Sequence, residues 1–215
     1  MNLPQLILAS NSPRRKELLS LAGLTFNVQP ADIDETALAG EYPDRYVLRL
    51  AESKARAIRS GQQQLVLAAD TTVADGGQIL GKPVDANQAV VMLKALRGRS
   101  HQVYTAVAVF DPASGRMESG ICKTEICMRT YTDAEIESYA ASGDPLDKAG
   151  AYAIQNNEFH PVDSYKGCYT NVMGLPLCLA AELLKGFGTS LTVRVPAKCP
   201  DGETACEICS EIQKS

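Results

Sequence analysis

The run LVLAADTTVA at 65–74 is apolar along most of its length and rich in Ala, Val and Thr. It reads as a buried strand, and a buried strand needs other layers to cover it. The segments around it supply them. A short apolar strand at 5–9 leads into a helical stretch at 13–22. An amphipathic helix at 44–59 places Tyr46, Val47, Leu50, Lys54, Ala57 and Ile58 on one face, with Gly61 as its stop. DGG at 75–77 turns the chain into a return strand beginning QIL. Asp85 caps a helix whose buried stripe is Ala89, Met92, Leu93 and Leu96. Strands alternating with helices predict an α/β protein.

The second half continues the pattern. HQVYTAVAVF (101–110) and 117–131 form a long hairpin joined by DPASGR. Thr132 and Glu135 make a T-x-x-E capping box that opens a helix at 133–141. GDPLDKAGAYAIQ (143–155) is loop and short elements, and Pro176 starts a last helix that ends at Gly186. Periodicity is lost over 190–215. No repeat or linker divides the chain, so residues 1–189 are expected to form one domain, followed by a loosely ordered tail at 190–215.

Composition narrows the function. The 215 residues are 45% hydrophobic, enough for one sizeable core. No run of about 18 apolar residues predicts a membrane span. MNLPQLILASNSPRR has no basic leader ahead of its apolar run, which argues against a secretory signal and for the cytoplasm. A net charge of −4 and only 6% aromatic residues argue against a nucleic-acid partner. Seven cysteines in a chain of this size read as reduced thiols. Cys199, Cys206 and Cys209 in the tail fall one sulfur short of a closed zinc site.

Several polar residues sit where folding alone would not put them. Ser12 is a good N-cap and Pro13 suits the first helical position. Arg14 and Arg15 then fall in the first turn, where the helix dipole makes each cation unfavourable by ~0.3–1 kcal/mol. A bound anion would offset this, gathering the dipole and both guanidinium groups. The alternative is that both arginines turn away and pair with surface carboxylates. Asp70 lies inside the buried run, where a carboxylate must be paired, hydrogen-bonded or metal-bound. It is either a structural aspartate at the strand end or a catalytic or metal-binding group. Asp32, Asp34 and Glu35 follow the strand-like FNVQP and offer a second acidic ligand. Lys82, between Gly81 and Pro83, is held in a rigid turn that suits phosphate contact. Lys54 is a comparable candidate, or else snorkels from the core edge. Lys148 and Gln155 lie in DKAGAYAIQ, and the Gln155 amide matches a pyrimidine edge that offers an adjacent N–H and C=O.

ASNSPRRKELL, DIDET, AADTTV, ILGKP, GRSHQVYTAVAV, DKAGAYAIQ and CYTNVMGLPL occur in that order over about residues 5 to 187. Together they resemble the Maf-like nucleoside triphosphate pyrophosphatases. The resemblance implies an elongated mixed sheet bent around a central cleft and flanked by helices, similar to the inosine triphosphate pyrophosphatases, with two lobes around the cleft. It implies hydrolysis of a nucleoside triphosphate to monophosphate and pyrophosphate with a divalent metal, Mg2+ or Mn2+, in a nucleotide-pool house-cleaning role. By resemblance Asp70 is the proton acceptor, and Arg14, Thr71 and Gln155 set substrate choice. Ser10, Arg15, Glu35, Lys54 and Lys82 line the cleft. Thr71 together with Gln155 resembles the branch acting on dTTP and UTP; the branch acting on 7-methyl-GTP differs after the aspartate. A homodimer is implied by resemblance alone. An association of the family with cell-division arrest leaves a regulatory protein as an alternative.

Ala153 stands where the family usually has glycine, and NNEFHPVDSYKGCY is an unusual version of its segment. These departures lie beside Gln155 and bear on base preference rather than on the chemistry. His160 reads as a loop histidine. The expected mechanism has Arg14, Arg15, Lys54 and Lys82 holding phosphate oxygens, with Ser12 and Lys148 also at the substrate. Glu35 and Asp70 carry the metal. An aspartate pKa near 3.9 makes a weak base, so Asp70 is expected to act with the metal, or with a pKa raised by Glu35.

Overall fold

The computed structural model describes residues 5–59 and 64–188. In chain order these contain β1 (Gln5–Leu8), α1 (Pro13–Leu21), β2 (Phe26–Val28), α2 (Pro43–Ala57), β3 (Gln64–Asp75), β4 (Gln78–Leu80), α3 (Ala86–Leu96), β5 (Ser100–Asp111), β6 (Arg116–Met128) and α4 (Asp133–Ala141). Two 3-10 turns (Asp144–Asp147 and Ala149–Ala151), β7 (Val162–Lys166), α5 (Tyr169–Met173) and α6 (Leu177–Gly186) follow. The strands form one mixed sheet in the order β2-β1-β3-β5-β6-β7, with β4 paired to β3 off that path. β2, β1 and β3 run parallel, and the remaining neighbours are antiparallel. The expected α/β class with a mixed sheet flanked by helices is what forms.

Local chemistry sets the ends of the elements. Ser12 Oγ accepts from the Arg15 backbone N–H, and Asp85 Oδ1 accepts from that of Gln88 at 2.7 Å. At α4 the Thr132 hydroxyl accepts from Glu135 N–H, while the Glu135 carboxylate accepts from Thr132 N–H at 2.7 Å. The β5–β6 turn closes on Asp111, which accepts from Ala113 N–H and the Ser114 hydroxyl.

Strand alternation divides the packing. Val66 and Ala68 of β3, with Ala106 and Ala108 of β5, face α2 through Val47, Ala51 and Ala55. On the opposite face Leu65, Leu67 and Ala69 join Val107 and Val109 under α1 and α6. Further along that same face, Val73, Val103 and Ile126 join a separate cluster with α3 and α4. The long strands β3, β5 and β6 thus carry two groups of helices side by side, with Ile154 packed against both.

Several details depart from the sequence reading. α2 buries Val47, Leu50, Ala51, Lys54 and Ala55, and Ile58 just beyond it is buried too, whereas Ala57 is exposed. Met92 is half-buried. Asp70 is not at a strand end; it lies within β3, opposite Ala106 of β5. The reading lacked β7 and α5. β7 is an edge strand with little burial, and α5 is a single short helix, so neither carries a periodic signal. Gly61 and the tail with Cys199, Cys206 and Cys209 lie outside the described residues. Cys122 and Cys127 are free thiols.

Candidate active site

β3 changes partner part-way along its length. Its parallel ladder with β1 stops at Leu67, and its antiparallel ladder with β4 resumes at Val73. Between them Ala68 to Thr72 pair with β5 on the other side. This break in the sheet is the kind of place where α/β proteins collect ligands. A cavity of about 550 Å3 opens here, a size that suits a small-molecule ligand. Asp70 and Thr71, neighbours on β3 whose side chains alternate between its faces, both line the cavity.

On the α2 face, Lys54 Nζ lies 2.5 Å from Asp70 Oδ1 and 2.7 Å from Glu35 Oε1. The Lys54 and Asp70 side chains are only 10% and 9% exposed, whereas that of Glu35 is 52% exposed. Lys54 therefore does not snorkel; it neutralises a buried carboxylate and bridges it to the acidic loop. Burial raises the Asp70 pKa above the ordinary carboxylate value, against the charges of Lys54 and Arg15. Glu35 adds to that rise in the expected direction, but burial comes first. Burial also opposes ionisation of Glu35, but the hydrogen bond and charge of Lys54, with Lys82 and Arg15, leave its pKa below normal.

The two arginines part company. Arg15 turns inward: Nε donates to the Gly174 carbonyl at 2.8 Å, Nη1 to Ser10 Oγ at 3.2 Å and Nη2 to Thr71 Oγ1 at 3.2 Å. Burial lowers its pKa, opposed by the charge of Asp70. Arg14 instead pairs with Asp147 at 3.3 Å on the cavity wall, so the alternative of pairing with a surface carboxylate holds for it alone. Ser10 and Ser12 both line the cavity, and Ser10 Oγ also accepts from Ser12 N–H at 3.2 Å.

Lys82 lines the cavity from an exposed turn, and Gln155 lines it from a half-buried one. Lys148 reaches the cavity as well, but its three N–H groups are already engaged. They donate to the Asp144 carbonyl at 2.5 Å, Asp144 Oδ1 at 2.9 Å and Asp147 Oδ1 at 2.6 Å. As it stands, Lys148 braces the 144–148 turn at the cavity wall. His160 is exposed and stands outside the cavity lining.

Two aromatic residues in the lining were not among the sequence candidates. The Tyr46 hydroxyl donates to the Glu35 carbonyl at 3.0 Å, and burial, then the charges of Asp70 and Glu35, push its pKa up to about 12. Its place on the same helix face as Lys54, two turns earlier, was the available signal. Tyr152 lines the cavity with its hydroxyl 2.7 Å from His101 Nε2. Nothing in its apolar context distinguished it.

Glu35 and Asp70 bring carboxylate oxygens together on one side of the cavity, bridged by the Lys54 ammonium. That donor set fits a hard divalent ion, which typically takes one or two carboxylates and completes its shell with phosphate oxygens and water. Among the described residues no group of three or more acidic, His or Cys side chains converges, so a dedicated all-protein metal cage is not what these residues offer.

A family model for Maf-like proteins matches residues 5–187. The chain belongs to the Maf-like family. Among its Maf-like relatives, the dTTP/UTP pyrophosphatase of Anaeromyxobacter dehalogenans (strain 2CP-1 / ATCC BAA-258) is 50% identical over 190 residues, covering 87% of this chain and 96% of that protein. The dTTP/UTP pyrophosphatase of Myxococcus xanthus (strain DK1622) is 48% identical over 197 residues, covering 90% of this chain and 99% of that protein. Among solved structures, the Staphylococcus aureus Ham1 protein aligns over 85% of this chain and 97% of its own at 13% identity with a TM-score of 0.42, a likeness too low to bear on fold or function. No helix among the described residues of this Maf-like chain is long and apolar enough to cross a membrane.

Proposed function

We propose that this protein hydrolyses a nucleoside triphosphate, dTTP or UTP, to the nucleoside monophosphate and pyrophosphate. The observation that carries the reading is the buried Asp70 carboxylate, facing one cavity together with Arg15, Lys54 and Lys82. Such a site supplies cations for a polyphosphate and a base for the attacking water. The pyrimidine preference is supported by the names of the relatives and by Gln155, whose amide matches the N–H and C=O of a uracil or thymine edge.

In this mechanism Arg15 and Lys82 hold phosphate oxygens, and Ser10 and Ser12 shape the turn around them. Lys54 keeps the Asp70 and Glu35 carboxylates together on one side of the reacting phosphorus. Asp70 takes the proton of the attacking water, and burial, by raising its pKa, makes it a better acceptor than an exposed aspartate. Glu35 and Asp70 would hold the Mg2+ or Mn2+ ion, which when bound neutralises phosphate charge and acidifies a bound water. Arg14, Asp147 and Lys148 also line the cavity.

A screen of standard and modified nucleoside triphosphates, including 7-methyl-GTP, with Mg2+ or Mn2+ tests this directly. Monophosphate and pyrophosphate are measured separately. Equimolar amounts of both from dTTP and UTP are expected. Release of orthophosphate with a nucleoside diphosphate, or no hydrolysis of any nucleotide, would refute the reaction; preference for 7-methyl-GTP would refute the substrate.

A further inference from the structure

We propose that Thr105 and Asn171 are positioning residues for Arg15: a buried, one-directional chain of hydrogen bonds fixes its guanidinium before a polyphosphate arrives. The proposal rests on the reading of the cavity as a triphosphate site.

The direction of the chain follows from counting hydrogens. The Asn171 carbonyl can only accept, so the 2.9 Å contact from Thr105 Oγ1 uses the single Thr105 hydroxyl hydrogen. The Thr71 and Thr105 hydroxyl oxygens lie 2.9 Å apart. Thr105 has no hydrogen left for that contact, so Thr71 is the donor. Thr71 Oγ1 also sits 3.5 Å from the Gly174 carbonyl, but its one hydrogen is taken by the shorter contact. Thr71 therefore meets Arg15 Nη2, 3.2 Å away, purely as an acceptor. The order is Arg15 N–H to Thr71, Thr71 O–H to Thr105, Thr105 O–H to the Asn171 carbonyl. Each bond polarises the next, and the cation heads the chain, where this polarisation is most useful.

The far end is anchored deep in the protein. Asn171 is fully buried, and its Nδ2 donates to the Val103 carbonyl of β5 at 3.2 Å and to Thr124 Oγ1 of β6 at 2.8 Å. The Val103 carbonyl fixes which way the amide faces, since the flipped amide would set oxygen against oxygen. Thr124 in turn accepts from Cys168 N–H at 3.0 Å and donates to the Cys168 carbonyl at 3.1 Å. These bonds pin α5 against the sheet, and α5 ends at Gly174, whose carbonyl accepts from Arg15 Nε at 2.8 Å. Gly174 has φ +109°, and a Cβ there would lie 3.4 Å from Thr71 Oγ1 and 3.6 Å from Arg15 Nε.

Two consequences follow for the site. Arg15 spends three of its five N–H groups on Gly174, Ser10 and Thr71, leaving one on each terminal nitrogen for a ligand. That arrangement suits bidentate binding of a phosphate. Thr71, moreover, has no hydrogen to offer a base, so any effect it has on substrate choice runs through Arg15.

The test is a double-mutant cycle on the full chain. Affinity for inorganic pyrophosphate, in buffer with Mg2+, is read by calorimetry, and KM and kcat for UTP by pyrophosphate release. Thr105→Val is expected to weaken pyrophosphate binding and raise KM by about five- to tenfold, the loss expected of one neutral hydrogen bond, with a smaller effect on kcat. Thr105→Ser should restore both. In an Arg15→Ala background, Thr105→Val should add nothing. If Thr105→Val does not fold, Thr105→Ala takes its place in the cycle. A folded variant with unchanged pyrophosphate affinity, an equal loss with and without Arg15, or no rescue by serine overturns the proposal. Pyrophosphate binding requires no turnover, so a wild type that binds it but hydrolyses no nucleotide refutes the proposed function while the cycle still decides this inference.

Discussion

A carboxylate buried in the middle of a strand needs a partner, and Asp70 has one in Lys54. The pair explains why both charges can sit where solvent scarcely reaches. Because Lys54 also holds Glu35, neutralising Asp70 leaves the ammonium with a counter-charge. Asp70→Asn is therefore expected to keep the fold while lowering kcat on UTP by about 10^2- to 10^4-fold, the usual contribution of a general base. Turnover within a few-fold of wild type, alongside an unchanged thermal midpoint, would remove Asp70 from the chemistry. At this scale the sequence singled out Asp70 for a general reason: an acidic side chain in an apolar strand is anomalous wherever it occurs. It could not name Lys54 as the partner, because a separation of sixteen positions reveals nothing about distance.

At the scale of elements, α2 does two things. Its inner face supplies Lys54, and its outer turns hold the loop that carries Glu35. Arg49 donates to both carboxylate oxygens of Glu41, at 2.7 and 2.6 Å, and to the Thr36 carbonyl at 3.1 Å, while Tyr46 holds the Glu35 carbonyl. None of this is periodic, so the helix was legible and its grip on the loop was not. The capping box of α4 was legible down to its atoms, because it is a local pattern that needs no tertiary partner. Thr132→Ala should lower stability by about 1 kcal/mol, equivalent to roughly 2–4 °C in thermal midpoint for a chain of this size, with kcat and KM on UTP unchanged. A fall in activity without the loss of stability would show that α4 has a part in the site.

At the scale of the whole molecule, the long strands carry helices of two clusters on one face, and the cavity lies where β3 changes partner between them. His101 sits fully buried near that floor, with Nε2 against the Tyr152 hydroxyl. Burial lowers its pKa from 6.5 to about 4, with Asp75 opposing and Arg99 assisting. Between those values the unfolded chain binds the proton and the folded protein does not. The contribution of His101 is thus complete above about pH 6.5 and is lost as the pH falls toward about 4, by roughly 3 kcal/mol at most. The thermal midpoint should drop across that window, and the drop should be shallower in His101→Gln. Equal slopes in the two proteins would rule out His101 as the titrating group.

Sequence alone determined the α/β alternation, the caps, the hairpin and the identity of the anomalous charges, because each is set by neighbours within one or two turns of chain. It also placed Arg14 and Arg15 side by side at a helix start, where both looked equivalent. The tertiary structure separated them. Arg15 meets the Gly174 carbonyl and Thr71, from segments remote in the chain, and Arg14 meets Asp147. Likewise, only the folded chain showed that Lys148 is fully engaged by Asp144 and Asp147 and that the rise in the Asp70 pKa comes first from burial. Which groups meet across the sheet depends on register and on where a strand runs out of partners, and those are set by the packing of the whole chain rather than by any local run of residues.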